Sequence, residues 1–424
     1  VSLGGDEHGL AAPPTQSTPP TQLKGQIWWL QFPAPLRQLA IIRLVASFGA
    51  GGILYLTPMV FHQANFTASA VGLGLALAAL AGTVARFASG ALLDRGFSCG
   101  LPVLLAGLCG ACGDAVLLGA HHLPGYIAGQ LLIGVAGGLY WPAVELAVPL
   151  CAPPVPSARG YALVRSADAA GVATGTLAGA ALAGLGLLRG IYLVDMAAVA
   201  VLVLLLLRQP LPGPTRSSGH GERGLALEFW LPPLLPLLSL SLVATAIPAL
   251  LQSALPLDLV RGGLERAAQP EHMSALLIGI QLGLLLLLQW PVGQTLARRP
   301  VAVGLGLSMA CFTLGAGLLA LSALSRSGVW VVLLALVPLA LGEAAFLPTA
   351  TEAVVELSPP RHAGLAMALF SQCFALSAFA SPLLAGLLLD AQGHGVVLWT
   401  LVALICAGSL CLVQPIHRRA RPRR

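Results

Sequence analysis

The sequence predicts an all-α membrane protein, with twelve transmembrane helices arranged as two six-helix bundles. Three observations carry this. Of 424 residues, 57% are apolar and only 9% are charged. A soluble domain carries roughly 25% charged residues, so a water-facing surface of ordinary size cannot be built. Apolar runs of about 20 residues, the length that crosses the hydrocarbon layer, recur along nearly the whole chain. A polar stretch from Arg208 to Glu228, rich in Gly, Pro and Ser, divides them six and six. The apolar content excludes a disordered or collagenous chain, and eight cysteines are too sparse for a disulfide scaffold.

The runs fall at 37–61, 68–93, 101–120, 124–150, 160–186 and 190–207 before the polar stretch. After it they fall at 229–257, 273–297, 301–323, 328–355, 362–390 and 395–413. They are continuous rather than alternating, so they read as helices and not as strands of a closed barrel; backbone groups in lipid must satisfy one another. The expected organisation is a tail over 1–35, bundles over 36–207 and 229–413, a linker over 208–228 and a basic tail over 414–424. Pro13, Pro14, Pro19 and Pro20 among Thr and Gln mark the first tail as flexible, and it lacks the basic start and short apolar core of a signal peptide. Its end, at Ile27, Trp28, Trp29 and Phe32, is expected at the membrane interface, which favours tryptophan.

Basic residues set the orientation. With both termini cytoplasmic, the inner loops and tails hold fifteen, including Lys24, Arg37, Arg95, Arg159, Arg298, Arg299, Arg361 and five from Arg418 to Arg424. The outer loops hold four, Arg189, Arg261, Arg266 and Arg326. This positive-inside bias sets both termini in the cytoplasm, and the expected location is the cell's inner (plasma) membrane. It also accounts for the net charge of +6 without a nucleic-acid partner. The terminal arginines read as an anchor to anionic lipid.

The halves repeat one another. Pro142 is followed eleven residues on by Pro153-Pro154 and then Arg159-Gly160-Tyr161-Ala162. Pro348 is followed eleven residues on by Pro359-Pro360 and then Ala363-Gly364-Leu365-Ala366. Gly90-Ala-Leu-Leu-Asp94-Arg95 after the second span corresponds to Gly293-Gln-Thr-Leu-Ala297-Arg298 after the eighth. Repeated halves place a substrate site near the midplane between them and give alternating access by rocking.

On these features the chain resembles the major facilitator superfamily over about residues 36 to 413. The superfamily's G-x-x-x-D-R-x-G-R-R/K loop is matched by Gly90, Asp94 and Arg95, while its later glycine is displaced and its final basic pair is missing. The resemblance implies that Asp94 holds helix ends together as a gate; a solvated turn with an ordinary topogenic arginine is the other reading. In the fifth span Gly171, Gly175 and Gly179 stand four apart, with Gly175-Thr176-Leu177-Ala178-Gly179-Ala180 in the place of the efflux antiporters' G-P-x-x-G-G. Close helix packing explains the same glycines. Those antiporters carry an intramembrane arginine in the fourth span, where this chain has Gln130. The segment Arg159-Gly160-Tyr161-Ala162-Leu163-Val164-Arg165, with the glycines after it, is most similar to the drug-efflux branch.

Ionisable residues inside spans are candidates for a transport path. The first half offers Arg43, Arg86, Asp114, Glu145, Arg165, Asp168 and Asp195; the second offers Glu343 and Glu352, with Glu356 near its end. Glu145 and Arg165 lie about equally far from the turn at Pro154, so at 1.5 Å of rise per residue they share a depth and are expected to pair. Asp168, three residues on, is expected on nearly the same face as Arg165. That cluster can exchange a proton as its arginine moves, or it can be a static pair fixing helix register. Asp114 has no basic neighbour in sequence and must hold a proton or meet water; Glu343 is similar. Arg43 and Arg86 are expected at the cytoplasmic end with stems reaching the interface. Asp195 is expected near the outer face, against water or Arg189.

Tyr55, Tyr140, Trp141, Tyr161 and Trp290 are candidate cavity-lining aromatics. Cys109 and Cys112 make a C-x-x-C, but no second pair completes a zinc site, His121-His122 has no partner at metal-ligand spacing, and no nucleotide-binding loop or nucleophile elbow is present. The expectation is therefore not an enzyme, with no cofactor and no metal. It is a monomeric secondary transporter moving a small amphiphilic solute through the lipid bilayer, with protons as coupling ion and efflux as direction. Alternatives are uptake or facilitated transport of a sugar or organic acid, which the scarcity of Asn and Gln in the spans disfavours, and a non-transporting membrane sensor.

Overall fold

A computed structural model describes residues 28–155, 157–213, 227–296, 298–358 and 363–419. The proline pair 359–360, Arg361, Ala297, most of the first tail and linker, and the last five residues lie outside them. The first bundle is built from α1 (Ala34–Gln63), α2 (Ala68–Asp94), α3 (Gly100–Gly119), α4 (Leu123–Cys151), α5 (Ser157–Gly184) and α6 (Gly190–Arg208). The second holds α7 (Leu227–Arg261), α8 (Glu271–Leu296), α9 (Val301–Ser322), α10 (Gly328–Leu357), α11 (Ala363–Gln392) and α12 (Val396–Ser409). A 3-10 turn, Leu410–Leu412, and a last helix α13 (Val413–Arg419) extend α12. Eleven of these elements, with α12 and α13 counted as one span, are long and apolar enough to cross a membrane. The exception is α5, which carries Arg159, Arg165 and Asp168 among Ala, Gly and Thr.

The helix ends follow local chemistry. The Thr67 hydroxyl accepts the Ala70 N–H at 3.2 Å and caps α2. Gly96, Gly186, Gly262 and Gly393 follow the ends of α2, α5, α7 and α11 with φ between 73° and 87°. Only glycine takes that left-handed turn without strain, which is why helices stop there.

Within each bundle the same neighbours recur: α1 with α5, α2 with α4, and α3 with α4 and α6; then α7 with α11, α8 with α10, and α9 with α10 and α12. The bundles meet along α2–α11, α5–α8 and α1–α7. A two-fold exchange of halves turns α2–α11 into α8–α5. Glycine makes the first bundle tight. A side chain at Gly175 would strike the Phe48 carbonyl of α1, one at Gly171 would sit 2.5 Å from the Leu44 carbonyl, and Gly179 lies against Leu56. In the same way Gly134 and Gly138 of α4 lie on Ala78 and Gly82 of α2. Close backbone approach of this kind replaces the hydrophobic drive that lipid cannot supply.

The two ends of the bundle differ. The start of α1 and the end of α6 lie at one end, where Gln38 donates to the Gln209 carbonyl; the turns α1–α2, α7–α8 and α11–α12 lie at the other, here called the far end. At the far end the bundles are joined. Asp390 of α11 accepts the Ala68 and Ser69 N–H groups of α2 at 2.9 and 2.7 Å, and pairs with Arg261 of α7 at 2.8 Å. Beside it Arg266 is paired with Asp258 at 2.9 Å, both side chains fully buried, and it also donates to the Ser322 hydroxyl at 2.6 Å. The sequence places Arg266 in an outer loop; it lies in that loop with its side chain turned inward. Phe32 is likewise 4% exposed, packed in the core rather than resting at an interface, with Arg159 over its ring at 5.2 Å.

Candidate functional site

The close α1–α5 approach that the glycines permit brings polar side chains of three helices together. Arg43 of α1 pairs with Asp168 of α5 at 2.8 Å, and the Ser47 hydroxyl donates to the same carboxylate at 2.5 Å. Arg43 is 4% exposed, so the sequence expectation of an interfacial side chain is corrected. Its guanidinium lies over the Trp141 ring at 3.8 Å and 5.2 Å from the Tyr140 centroid, both on α4. A planar, weakly hydrated cation stacked on indole tolerates burial better than an ammonium would. Glu145 and Arg165 pair at 2.8 Å, as the hairpin arithmetic indicated. Arg165 also faces Trp141, at 5.7 Å. The expected three-residue cluster is thus two ion pairs whose arginines both approach one tryptophan, and Asp168 answers to Arg43 rather than Arg165.

Further along α1, Tyr55 stands between the bundles. Its hydroxyl lies 3.5 Å from the Gln252 amide nitrogen of α7. It is within electrostatic reach of Asp168 in the first bundle and Glu343 of α10 in the second. Gln281 of α8 lies beside Glu343. Two cavities flank this region. One, of about 560 Å³, opens between α2, α7 and α11 and is lined mainly by Leu80, Leu238, Leu242, Leu369 and Phe379, with Thr83, Ser239 and Gln372 as polar exceptions. The other, of about 110 Å³, lies between α7, α8 and α10 with Glu343 and Gln289 in its wall.

A third polar group lies away from both cavities. Asp114 of α3 is fully buried, and no donor from a described side chain reaches its oxygens. Its neighbour is the carboxyl group of Asp195 on α6, which is 8% exposed and faces Gly49 of α1. The expected Asp195–Arg189 contact is absent among the described residues. Arg189 instead donates to the Leu118 and Ala120 carbonyls at 2.7 and 2.9 Å, closing the end of α3. No ion pair among the described residues includes either carboxyl group.

The matched sequence model is that of the Major Facilitator Superfamily, over residues 39–314 and 270–423. The chain belongs to this superfamily. A POT family transporter in complex with 5-aminolevulinic acid is similar in structure, with a TM-score of 0.76 at 14% identity over 91% of this chain and 97% of that one. The nucleoside transporter NupG has a TM-score of 0.70 at 13% identity over 91% and 99%. No curated protein sequence matches the chain. At such identities the likeness is one of fold. With the family match it makes this major facilitator protein a membrane transporter of small solutes and not an enzyme.

The superfamily's loop motif is only partly visible in this member. Gly90 lies in α2 with open space around it, and Arg95 is an exposed cap residue. The Asp94 side chain lies outside the described residues. Gly171, Gly175 and Gly179 sit on the α1 seam, where Thr176 donates to the Gly51 carbonyl at 3.0 Å. Gln130 is buried in α4, away from the residues lining either cavity. Ser47 and the Asp114–Asp195 pairing were not read from the sequence. Arg43 was the available signal, as a second intramembrane cation in need of a carboxylate.

Proposed function

We propose that the protein is a proton-coupled secondary transporter that exports a small amphiphilic solute by alternating access. It does so as a monomer in the inner (plasma) membrane, with both chain ends cytoplasmic. The observation that carries the reading is Asp168 of the first bundle, held by Arg43 and Ser47 on the α1–α5 seam, with Glu343 of the second bundle outside every ion pair among the described residues. An intramembrane carboxylate that can trade a proton against an arginine couples charge to helix position. Here Asp168 bridges α1 and α5, and α5 packs on α8 of the other half. Proton uptake at Asp168 therefore loosens the seam next to the contact that must change when the bundles rock.

The apolar wall of the larger cavity suits an amphiphile, since a sugar site needs several convergent polar groups. The excess of basic residues in the loops assigned to the cytoplasm supports the orientation. The test is an everted membrane vesicle carrying an imposed proton gradient and challenged with a panel of lipophilic cations. Gradient collapse that needs the protein, and is lost in Asp168→Asn, is the expected result. Normal collapse in Asp168→Asn refutes the coupling residue. Failure of every cation transfers the case to uptake of sugars or organic acids.

A further inference from the structure

The structure assigns to the larger cavity a binding site for an anionic membrane phospholipid, with Arg86 of α2 on the lipid's phosphate. The inference does not depend on which solute is moved or in which direction. Of the three arginines that the sequence sets inside spans of the first half, Arg43 and Arg165 each hold a carboxylate at 2.8 Å. Arg86 belongs to no ion pair among the described residues, and its Nε is buried without a hydrogen-bond partner. A guanidinium inside a membrane helix with a buried, unbonded N–H describes a place where an anion completes the polar set.

The helix aligns this arginine with the cavity. Ala79 and Thr83 are wall residues; Arg86 stands seven residues after the first and three after the second, and so shares their face of α2. Gly90, four residues further on that face, would meet nothing within 4 Å with a side chain added. Open space thus continues past Arg86 toward the near end, where α1 begins. Toward the far end the groove is blind, because Gly72 and Gly386 bring the backbones of α2 and α11 together, against the Pro382 and Ala68 carbonyls. At 1.5 Å of rise per residue Arg86 lies about 12 Å short of the helix end at Asp94. That is a few Å inside the hydrocarbon boundary, within reach of a lipid head drawn into the groove.

The order of chemistry along the groove decides the ligand. Its far-side wall is apolar on each helix, at Ala79, Leu242 and Phe379, and the polar wall residues Thr83, Ser239 and Gln372 all lie closer to the near end. The cation comes after them. A lipid of the near leaflet has the same order, with acyl carbon at the midplane, then ester oxygens, then phosphate. The groove is also open to the bilayer. Leu80 shares with Leu73 and Phe87, seven apart and all exposed, the outward stripe of α2, and Leu376 and Phe379 across the groove are exposed as well. No wall residue is charged, so the ammonium of a zwitterionic head finds no carboxylate there, whereas an anionic head needs only the guanidinium. A free phosphate would use Arg86 and leave the apolar wall bare.

The test is native mass spectrometry of the purified full chain, titrated with dioleoylphosphatidylglycerol, with dioleoylphosphatidylcholine and with inorganic phosphate. The wild type is expected to bind the anionic lipid at least tenfold more tightly than the zwitterionic one, and phosphate alone more weakly than either. Arg86→Gln should bring the two lipids within about twofold, and Arg86→Lys should keep most of the preference. Arg298→Gln, at an exposed arginine of the same end, should keep all of it. If Arg86→Gln does not fold, Ala79→Phe serves: it fills the groove and should weaken the anionic lipid at least tenfold. Equal binding of the two lipids by the wild type, or an unchanged preference in Arg86→Gln, overturns the site. So does an equal loss in Arg298→Gln, which would mark a diffuse surface charge. Phosphate binding that needs Arg86, with lipid binding untouched in Ala79→Phe, also overturns it and leaves a bare anion site. Gradient collapse in vesicles, present or absent, bears on the export reading alone.

Discussion

Replacing Asp390 by alanine should open the far end of the protein. The carboxylate receives two backbone N–H groups from the first turn of α2, at 2.9 and 2.7 Å. It is anchored by Arg261, but α7 and α11 belong to the same bundle, so that ion pair does not report on separation of the halves. Only the two bonds to α2 and the attraction to its N-terminus cross between bundles. A hydrogen bond to a charged group contributes about 1.5–3 kcal/mol, and a helix N-terminus adds about 0.3–1 kcal/mol to an anion. The side chain is 25% exposed, so the low end applies and the sum is about 3 kcal/mol. Lost from the closed state alone, that is roughly a 150-fold shift in the ratio of states. Asp390→Asn keeps one acceptor oxygen and should shift the ratio by much less. Spin labels at exposed Gln63 and Gln392, with the exposed Cys112 and Cys411 replaced by serine, would read the separation. The distance distribution should move to longer values in Asp390→Ala and partly so in Asp390→Asn. Identical distributions in all three proteins would refute the reasoning.

Arg43→Met should lower the unfolding temperature more than the double change Arg43→Met with Asp168→Asn. Removing one partner strands a buried charge at about 3–5 kcal/mol, whereas removing both strands none; additive losses in a thermal-unfolding cycle would show the two groups are not coupled. Gly175→Leu should destabilise by more than about 2 kcal/mol, because the new side chain meets the Phe48 backbone. Gly90→Ala has nothing within 4 Å and should be neutral or gain up to about 1 kcal/mol from helix propensity. Equal effects of the two glycine changes would mean that the α1–α5 seam is not tight.

The spans were legible because lipid leaves the backbone no alternative to long apolar helices, and a length of about 20 residues is set by the membrane. Depth was legible within one hairpin, where counting from a turn brought Glu145 to Arg165. It was not legible across the bundle. Nothing in the spacing of Arg43 says that α1 lies on α5, and Gly171 and Gly175 were read as a packing face without saying which helix it packs on. Asp195 shows the same limit. Its place in the chain suggested Arg189, six residues away, but that arginine is occupied by carbonyls at the end of α3, and Asp195 turns to Asp114 instead. The carboxylate at 94 matched a motif, but its side chain lies outside the described residues.

The duplicated backbone carries unlike chemistry in its two halves, and that difference bears on coupling. The α1–α5 seam holds Arg43, Asp168 and Ser47; its counterpart in the repeat, the α7–α11 seam, holds Thr245 and Ser377 with hydroxyls 2.8 Å apart, and Ser377 also donates to the Leu242 carbonyl at 3.0 Å. A hydroxyl pair keeps its charge at zero whatever the proton gradient, so it fixes helix positions and cannot respond. The ion pair can change both its charge and its partners. Under the proposed proton coupling, a gradient would act on the first bundle's seam and not on this hydroxyl pair. The second bundle's contribution is Glu343, set apart on α10 and not on either seam. Under that proposal, the two carboxylates would have to sense each other across Tyr55. Tyr55→Phe keeps the ring and removes the hydroxyl that meets Gln252, and so bears directly on that link.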